Sequence, residues 1–377
     1  MVPHHGKLER PPFDPNLSLR ATMTRPTIRD AMYGRTVPTM RTGGLRSRLC
    51  RALASLLVVC VGASLRAEDL WLDFPGGAGV GHGKHVVLVS GDEEYRSEEA
   101  LPQLAKILSQ HHGFHCTVLF AIDPESGEID PNRSDNIPGL EQLRSADLLI
   151  LFTRFRNLPD PQMQLLVDYI EAGKPILGMR TATHAFQIPA DRQFTKYAND
   201  YAGADFPGGF GQQVLGEKWV AHHGEHGVQS TRGVIAPGAA DHPICRGLER
   251  STIWGPSDVY RVNLPLSGDG RALVLGEVLT GMQPDDPAVD GPVNDPKMPI
   301  AWVRTYRGGR VFATTMGAAT DLVADGTRRM LVNATLWCLG MDDQIRDDLT
   351  VDLIGDYQPT PFRFDGFIRH RHPADLR

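Results

Sequence analysis

Lys174–Phe186, KPILGMRTATHAF, is the stretch from which the rest of the chain is read. Pro175–Met179 is a continuous apolar run and reads as a buried strand. Arg180-Thr181 reads as a sharp turn and the residues after it as a helix start. This is the layout of a nucleophile elbow, in which an α/β enzyme displays one reactive side chain above its sheet. Here the apex carries Arg180 and Thr181 in place of Ser or Cys. The display platform is present and its usual nucleophile is not.

Working outward, the same alternation continues. His85–Ser90 reads as an apolar strand that ends in Gly91-Asp92-Glu93-Glu94-Tyr95-Arg96, and Ala100–Gln110 as a helix with Leu101, Leu104, Ile107 and Leu108 at helical spacing. Cys116–Ala121 and Asp147–Phe152 read as further strands, and Pro161–Ala172 as an amphipathic helix closed by Gly173. Apolar strands alternating with amphipathic helices predict a doubly wound, mostly parallel sheet covered on both faces. Ligands bind such sheets at the carboxyl ends of the strands. That edge receives Asp92, Glu93, Glu94, Tyr95 and Arg96, then Arg154 and Arg156, then Arg180, Thr181, Thr183 and His184.

Residues 187–232 are rich in Gly, His and aromatics with little periodicity, which predicts a long functional loop. A β pattern returns at 233–235, 258–262, 273–278, 300–306 and 310–315, the last two forming a hairpin around Gly308-Gly309. Asp321–Leu339 reads as the closing helix. The tail, 342–377, is Pro-rich and aromatic and is expected to pack on the surface of a single domain, 85–341. Upstream, Arg41, Arg46, Arg48 and Arg51 precede the apolar run Ala52–Ala63, with a cleavage point after Ala67. This reads as a signal peptide over 40–67, followed by a linker, 68–84. Met40 reads as the true start, with 1–39 an over-extended segment. The expectation is an exported chain, periplasmic or extracellular, with no membrane span after cleavage.

A net charge of -6 with no basic stripe argues against nucleic acid as the partner. Apolar and charged fractions of 41% and 22% suit an ordinary globular core. Cys116, Cys245 and Cys338 are odd in number after the signal, and Cys116 and Cys338 read as packed thiols.

Six segments carry a family resemblance: Val87–Pro102 (VLVSGDEEYRSEEALP), Ala146–Asp160 (ADLLILFTRFRNLPD), Glu171–Phe186, Trp219–Gly247, Trp254–Tyr260 (WGPSDVY) and Arg310–Asp321 (RVFATTMGAATD). With them the chain resembles the trehalose-utilisation (ThuA-like) family, most closely its secreted branch. The resemblance implies a flavodoxin-like, class I glutamine amidotransferase-like fold with long inserted loops, a C-terminal β-hairpin and a closing helix. In true amidotransferases the elbow reads like PILGICLGH, and its Cys falls on Arg180 here, so thiolate amide hydrolysis is not implied. The resemblance also implies a role in disaccharide catabolism, without a settled reaction.

The residue types at the expected rim suggest specific chemistry. Guanidinium forks at Arg154, Arg156 and Arg180 suit carboxylates, phosphates or vicinal hydroxyls, or an oxyanion as it develops. Their alternative is internal pairing with Asp92, Glu93 and Glu94. His184 at a helix start would be held neutral by the helix dipole and could act as acid or base with Glu94 as its orienter. His222-His223-Gly224-Glu225-His226 offers imidazoles for acid–base work, at His223 or His226, or for a divalent metal such as zinc at His222 and His226, although no standard zinc motif is matched. Its alternative is a solvated Gly-His loop. Trp219 and Tyr260 suit stacking on a sugar ring, and Arg232, Asp258 and Asp321 complete the candidate set. The leading expectation is proton-transfer chemistry on a small carbohydrate by an isomerase, lyase or hydrolase. The alternatives are a non-catalytic sugar-binding or scaffold protein and a metal-dependent hydrolase. A homo-oligomer is compatible with all of them, and no cofactor is certain.

Overall fold

The computed structural model describes residues 70–248 and 253–377, so the expectations for 1–39 and for the signal lie outside the described residues. In chain order the strands are β1 (Trp71–Phe74), β2 (His85–Gly91), β3 (His115–Leu119), β4 (Leu148–Thr153), β5 (Ile176–Met179), β6 (Ala221–His222), β7 (Thr231–Ile235), β8 (Trp254–Gly255), β9 (Tyr260–Arg261), β10 (Arg271–Val278), β11 (Met298–Tyr306) and β12 (Gly309–Thr314). The α-helices are α1 (Ser97–Lys106), α2 (Asp160–Glu171) and α3 (Asp325–Cys338).

Ten strands form one sheet in the order β1-β3-β2-β4-β5-β12-β11-β10-β7-β8. Its centre, β3-β2-β4-β5-β12, is parallel throughout. In chain order that is second, first, third, fourth, fifth, the flavodoxin-like winding. β2 and β4 are buried along their whole length, which explains why they read as unbroken apolar runs. The β2-α1-β3 and β4-α2-β5 crossovers step in opposite directions, so their right-handedness puts α1 and α2 on opposite faces. Antiparallel strands extend both edges, β1 beside β3 and β11, β10, β7 and β8 beyond β12. The expected hairpin is β11–β12, turned at Arg307-Gly308 with both residues at positive φ.

Several local expectations are corrected. The linker carries β1, which four residues of mixed polarity did not announce. The elbow opens no α-helix: Arg180–His184 is a short 3-10 turn, after which the chain leaves in an irregular path. The closing helix starts at Asp325, because Asp321 serves the turn before it, accepting from Gly317 N at 2.9 Å and Ala318 N at 3.1 Å. The strand expected over 258–262 shrinks to β9, since Asp258 turns its carboxylate inward.

The tail packs on the domain as a strap. Thr350 O and Asp352 O are hydrogen-bonded to His112 and His111. Further along, Tyr357 Oη donates to Ala319 O at 2.8 Å, and Thr360 N and Oγ1 donate to the Glu99 carboxylate at 2.7 and 2.9 Å.

Candidate functional site

The carboxyl ends of β2, β4, β5 and β12 converge on one edge, and three non-glycine residues there hold left-handed backbone: Arg96 (φ 61), Phe155 (φ 49) and Arg180 (φ 47). Such conformations cost a side-chain-bearing residue of the order of 1 kcal/mol or more and persist only where surroundings hold them. After β2, the Asp92 carboxylate accepts from Glu94 N and Tyr95 N, each at 2.7 Å, and from Thr181 Oγ1. This ties the β2 turn to the elbow and aims Glu94 and Tyr95 at the space between them.

Arg180 is completely buried at the elbow apex. Its guanidinium lies between two aromatic rings, 4.0 Å from the centroid of Tyr95 and 4.3 Å from that of Tyr260. It donates to Asp258 O at 2.7 Å, to Thr315 O and to Asp258 Oδ1. Burial alone would push the Asp258 carboxyl up, but Arg180 and the neighbouring His222 and His226 hold it far below the usual carboxylate range. Tyr95 Oη donates to Asp258 Oδ1 at 3.0 Å and lies 3.1 Å from His226 Nδ1. The expected clamp at Arg180 is thus turned inward: it organises Asp258 and two tyrosines in place of reaching a ligand.

Beside this layer stand Glu94, His184, Arg154, Trp219 and His222, of which Glu94 and His184 are buried and His222 is exposed. Glu94 is bound by Arg154 Nη2 at 2.8 Å, and Arg154 also pairs with Glu93. Burial, with Asp92 nearby, raises Glu94 to about 7 although Arg154 opposes the shift. His184 is buried, with Nδ1 3.2 Å from Thr183 Oγ1, and among the described residues its Nε2 has no hydrogen-bond partner. Burial first, then the charges of Arg154 and Arg180, hold it well below its ordinary pKa, so the imidazole is neutral. The helix dipole expected to do this is not the cause, since the turn is only five residues long. The His184 ring is surrounded by Phe155 at 5.0 Å, Trp219 at 5.5 Å and Tyr260 at 5.9 Å. Trp219 also meets His222 edge-on at 5.5 Å. His222 is exposed and is raised by the Asp258 carboxylate beside it.

Other candidates lie elsewhere or behind the site. His223 turns away to the Val293 carbonyl, 2.6 Å from its Nε2, so it is no catalytic candidate. Arg232 pairs with Glu277 across β7–β10 and donates to the carbonyls of Pro284 and Asp286, which removes it from the ligand set. Arg156 donates to Arg154 O, Pro131 O and Arg133 O, and Arg96 to Glu93 O and Arg363 O; both are loop clamps. Asp321 accepts from Ser257 Oγ at 2.7 Å and caps its own turn. Asp92, Thr181 and Thr183 are completely buried and support the site from behind.

Two contributors escaped sequence reading. Phe155 lies between the arginines of TRFRN and its ring packs against that of His184. Phe362, from the tail, stacks on His226 at 4.4 Å and 11° and meets Tyr95 at 4.9 Å. The signal for it was the aromatic density of residues 356–367.

No helix among the described residues is long and apolar enough to cross a membrane. No curated protein matches the chain. Among solved structures, a ThuA-like protein from Bacteroides uniformis is similar at 15% identity and a TM-score of 0.42, the match covering 74% of this chain and 100% of that one. A ThuA-like protein from Parabacteroides merdae is similar at 14% identity and a TM-score of 0.44, covering 75% and 98%. The family model described as trehalose utilisation, ThuA, matches residues 85–338. The chain belongs to the ThuA family.

Proposed function

We propose that this protein acts on a sugar or keto-sugar by proton transfer at Glu94 and His184, beside Arg154 and Trp219. The observation that carries this is Glu94 held by Arg154 Nη2 at 2.8 Å after β2, with His184 among Phe155, Trp219 and Tyr260 after β5; burial raises Glu94 to about 7 and keeps His184 neutral. A carboxyl tuned to that range exchanges protons efficiently near neutral pH, and an uncharged imidazole can donate a hydrogen bond to a carbonyl or hydroxyl without being titrated. Trp219 and Phe155 offer flat apolar faces for the C–H side of a sugar ring. Arg154 holds Glu94 in place and presents charge to an oxygen that becomes anionic. Acyl transfer by an elbow nucleophile is disfavoured, because Arg180 fills the apex and both its terminal nitrogens are bonded inside the protein. The apolar run at 52–63, with its basic flank, supports export of the mature chain, and N-terminal sequencing of the secreted protein beginning at Glu68 would bear that out.

The test is solvent exchange. The full chain is incubated in D2O with a panel of aldoses, disaccharides and their keto forms, and proton NMR follows loss of signal at carbons next to a carbonyl. Deuterium incorporation by the wild type, abolished in Glu94→Gln with the fold intact by circular dichroism, is the expected result. Saturable sugar binding with no exchange and no product would replace this reading with that of a binding protein.

A further inference from the structure

We propose that His222, His226 and Asp258 bind one divalent transition-metal cation of the zinc type. One ligand atom from each residue lies within 4.8 Å of the others. His226 Nδ1 is 3.3 Å from Asp258 Oδ1, and His222 Nδ1 is 3.7 Å from Asp258 Oδ2. Ligands of a tetrahedral zinc, each about 2.0 Å from the metal, stand roughly 3.3 Å apart, so the side chains close on one ion by drawing in from at most 4.8 Å.

An independent observation concerns Asp258 Oδ2. Its partner oxygen is saturated by Tyr95 Oη and Arg180, yet Oδ2 is buried with no hydrogen-bond partner. At 3.7 Å the His222 nitrogen is too distant to serve as one. A buried carboxylate oxygen left unpaired is costly, and a cation seated between it and the two imidazoles removes that cost. The surroundings also suit a metal centre. Arg180 and Tyr95 fix the carboxylate from behind, and Phe362 stacks flat on His226, so the ligands are oriented from outside the first ring of contacts. His222 is more than half exposed, leaving the outer coordination positions to water or substrate, as in catalytic zinc sites.

The chemistry selects among cations. With one carboxylate, already paired to Arg180, there is little negative charge to hold Mg2+ or Ca2+, whereas imidazole suits Zn2+ and Co2+. The two histidines are hydrogen-bonded to each other at 2.8 Å, so their rings already face one another, and a cation entering at those nitrogens replaces this contact. This site stands on its own geometry and does not depend on the sugar reading.

The experiment titrates the metal-stripped full chain, without an affinity histidine tag, with Zn2+ and Co2+ by calorimetry near neutral pH. Expected are one saturable equivalent, visible Co2+ bands displaced by Zn2+, and weaker binding of Mg2+. His222→Gln and His226→Gln should each lower Zn2+ affinity by about a hundredfold, while His223→Gln binds as the wild type does. Circular dichroism confirms that each variant is folded. Absence of a one-equivalent event in the folded wild type would overturn the site, as would unchanged affinity in the His222→Gln/His226→Gln double variant.

Discussion

Single residues at this rim act through their neighbours' charges. Arg154 opposes the rise of Glu94, so removing it lets Glu94 climb above about 7. If Glu94 takes the proton in its ionised form, exchange activity rises with pH through that value, and in Arg154→Gln the midpoint of the profile moves to higher pH. A pH–rate series on both proteins checks the shift, and a shift to lower pH would exclude Glu94 as the titrating base. Arg180 has a different role. Arg180→Met leaves the Asp258 carboxylate buried without its cation, and breaking such a pair costs about 3–5 kcal/mol. Urea unfolding is expected to show a loss of that size; a change under about 1 kcal/mol would place the pair among marginal ones. The sequence announced an arginine at the apex, but not its direction. That depended on Tyr95 and Tyr260, 165 residues apart in sequence numbering, closing on both sides of it.

At the scale of elements, α1 carries a built-in conflict. Glu98 sits in its first turn, where a negative charge is favoured by the helix dipole. Both carboxylate oxygens are nevertheless buried and unpartnered, and burial raises the group to about 8. A carboxyl whose folded pKa is raised stabilises fully only below its unfolded value. Stability therefore falls as pH rises from the ordinary carboxylate range through about 8. Glu98→Met is expected to flatten that slope and to gain on the order of a few kcal/mol at about pH 8 but little at about pH 5. Denaturant melts at the two pH values measure it, and equal gains at both would show that Glu98 is not the source of the slope. The strand–elbow unit was legible because a strand buried on both faces must be apolar throughout. The helix expected after the elbow failed to form because Thr183, His184 and Phe155 are engaged in the site's own contacts, with Phe155 N donating to His184 O at 3.1 Å.

Across the whole molecule, the tail links the site to the outer face of α1. Arg363 N donates to Glu94 O at 3.2 Å, Arg96 reaches back to Arg363 O at 2.6 Å, and Phe362 covers His226. Deleting residues 356–377 should leave the far-UV circular dichroism spectrum close to that of the full chain while uncovering His226 and the Tyr95 edge. Exchange activity is then expected to fall by about tenfold or more, and full activity in the truncated protein would reduce the strap to a stabilising wrap. Phe364, 60% exposed beside Phe362, is free to meet a ligand arriving from that side.

The sequence by itself determined a doubly wound, mostly parallel sheet, the edge at which polar groups gather and the loss of the elbow nucleophile. Each of these is written in local pattern: unbroken apolar strands, helical periodicity, and the residue types at strand ends. Tertiary structure alone decided which of those polar groups face outward. Whether an arginine clamps a ligand or an aspartate depends on what distant segments bring within reach. The segment Asp258–Tyr260 and the tail residue Phe362 arrive from separate parts of the chain, the first to bury Arg180 and the second to cover His226.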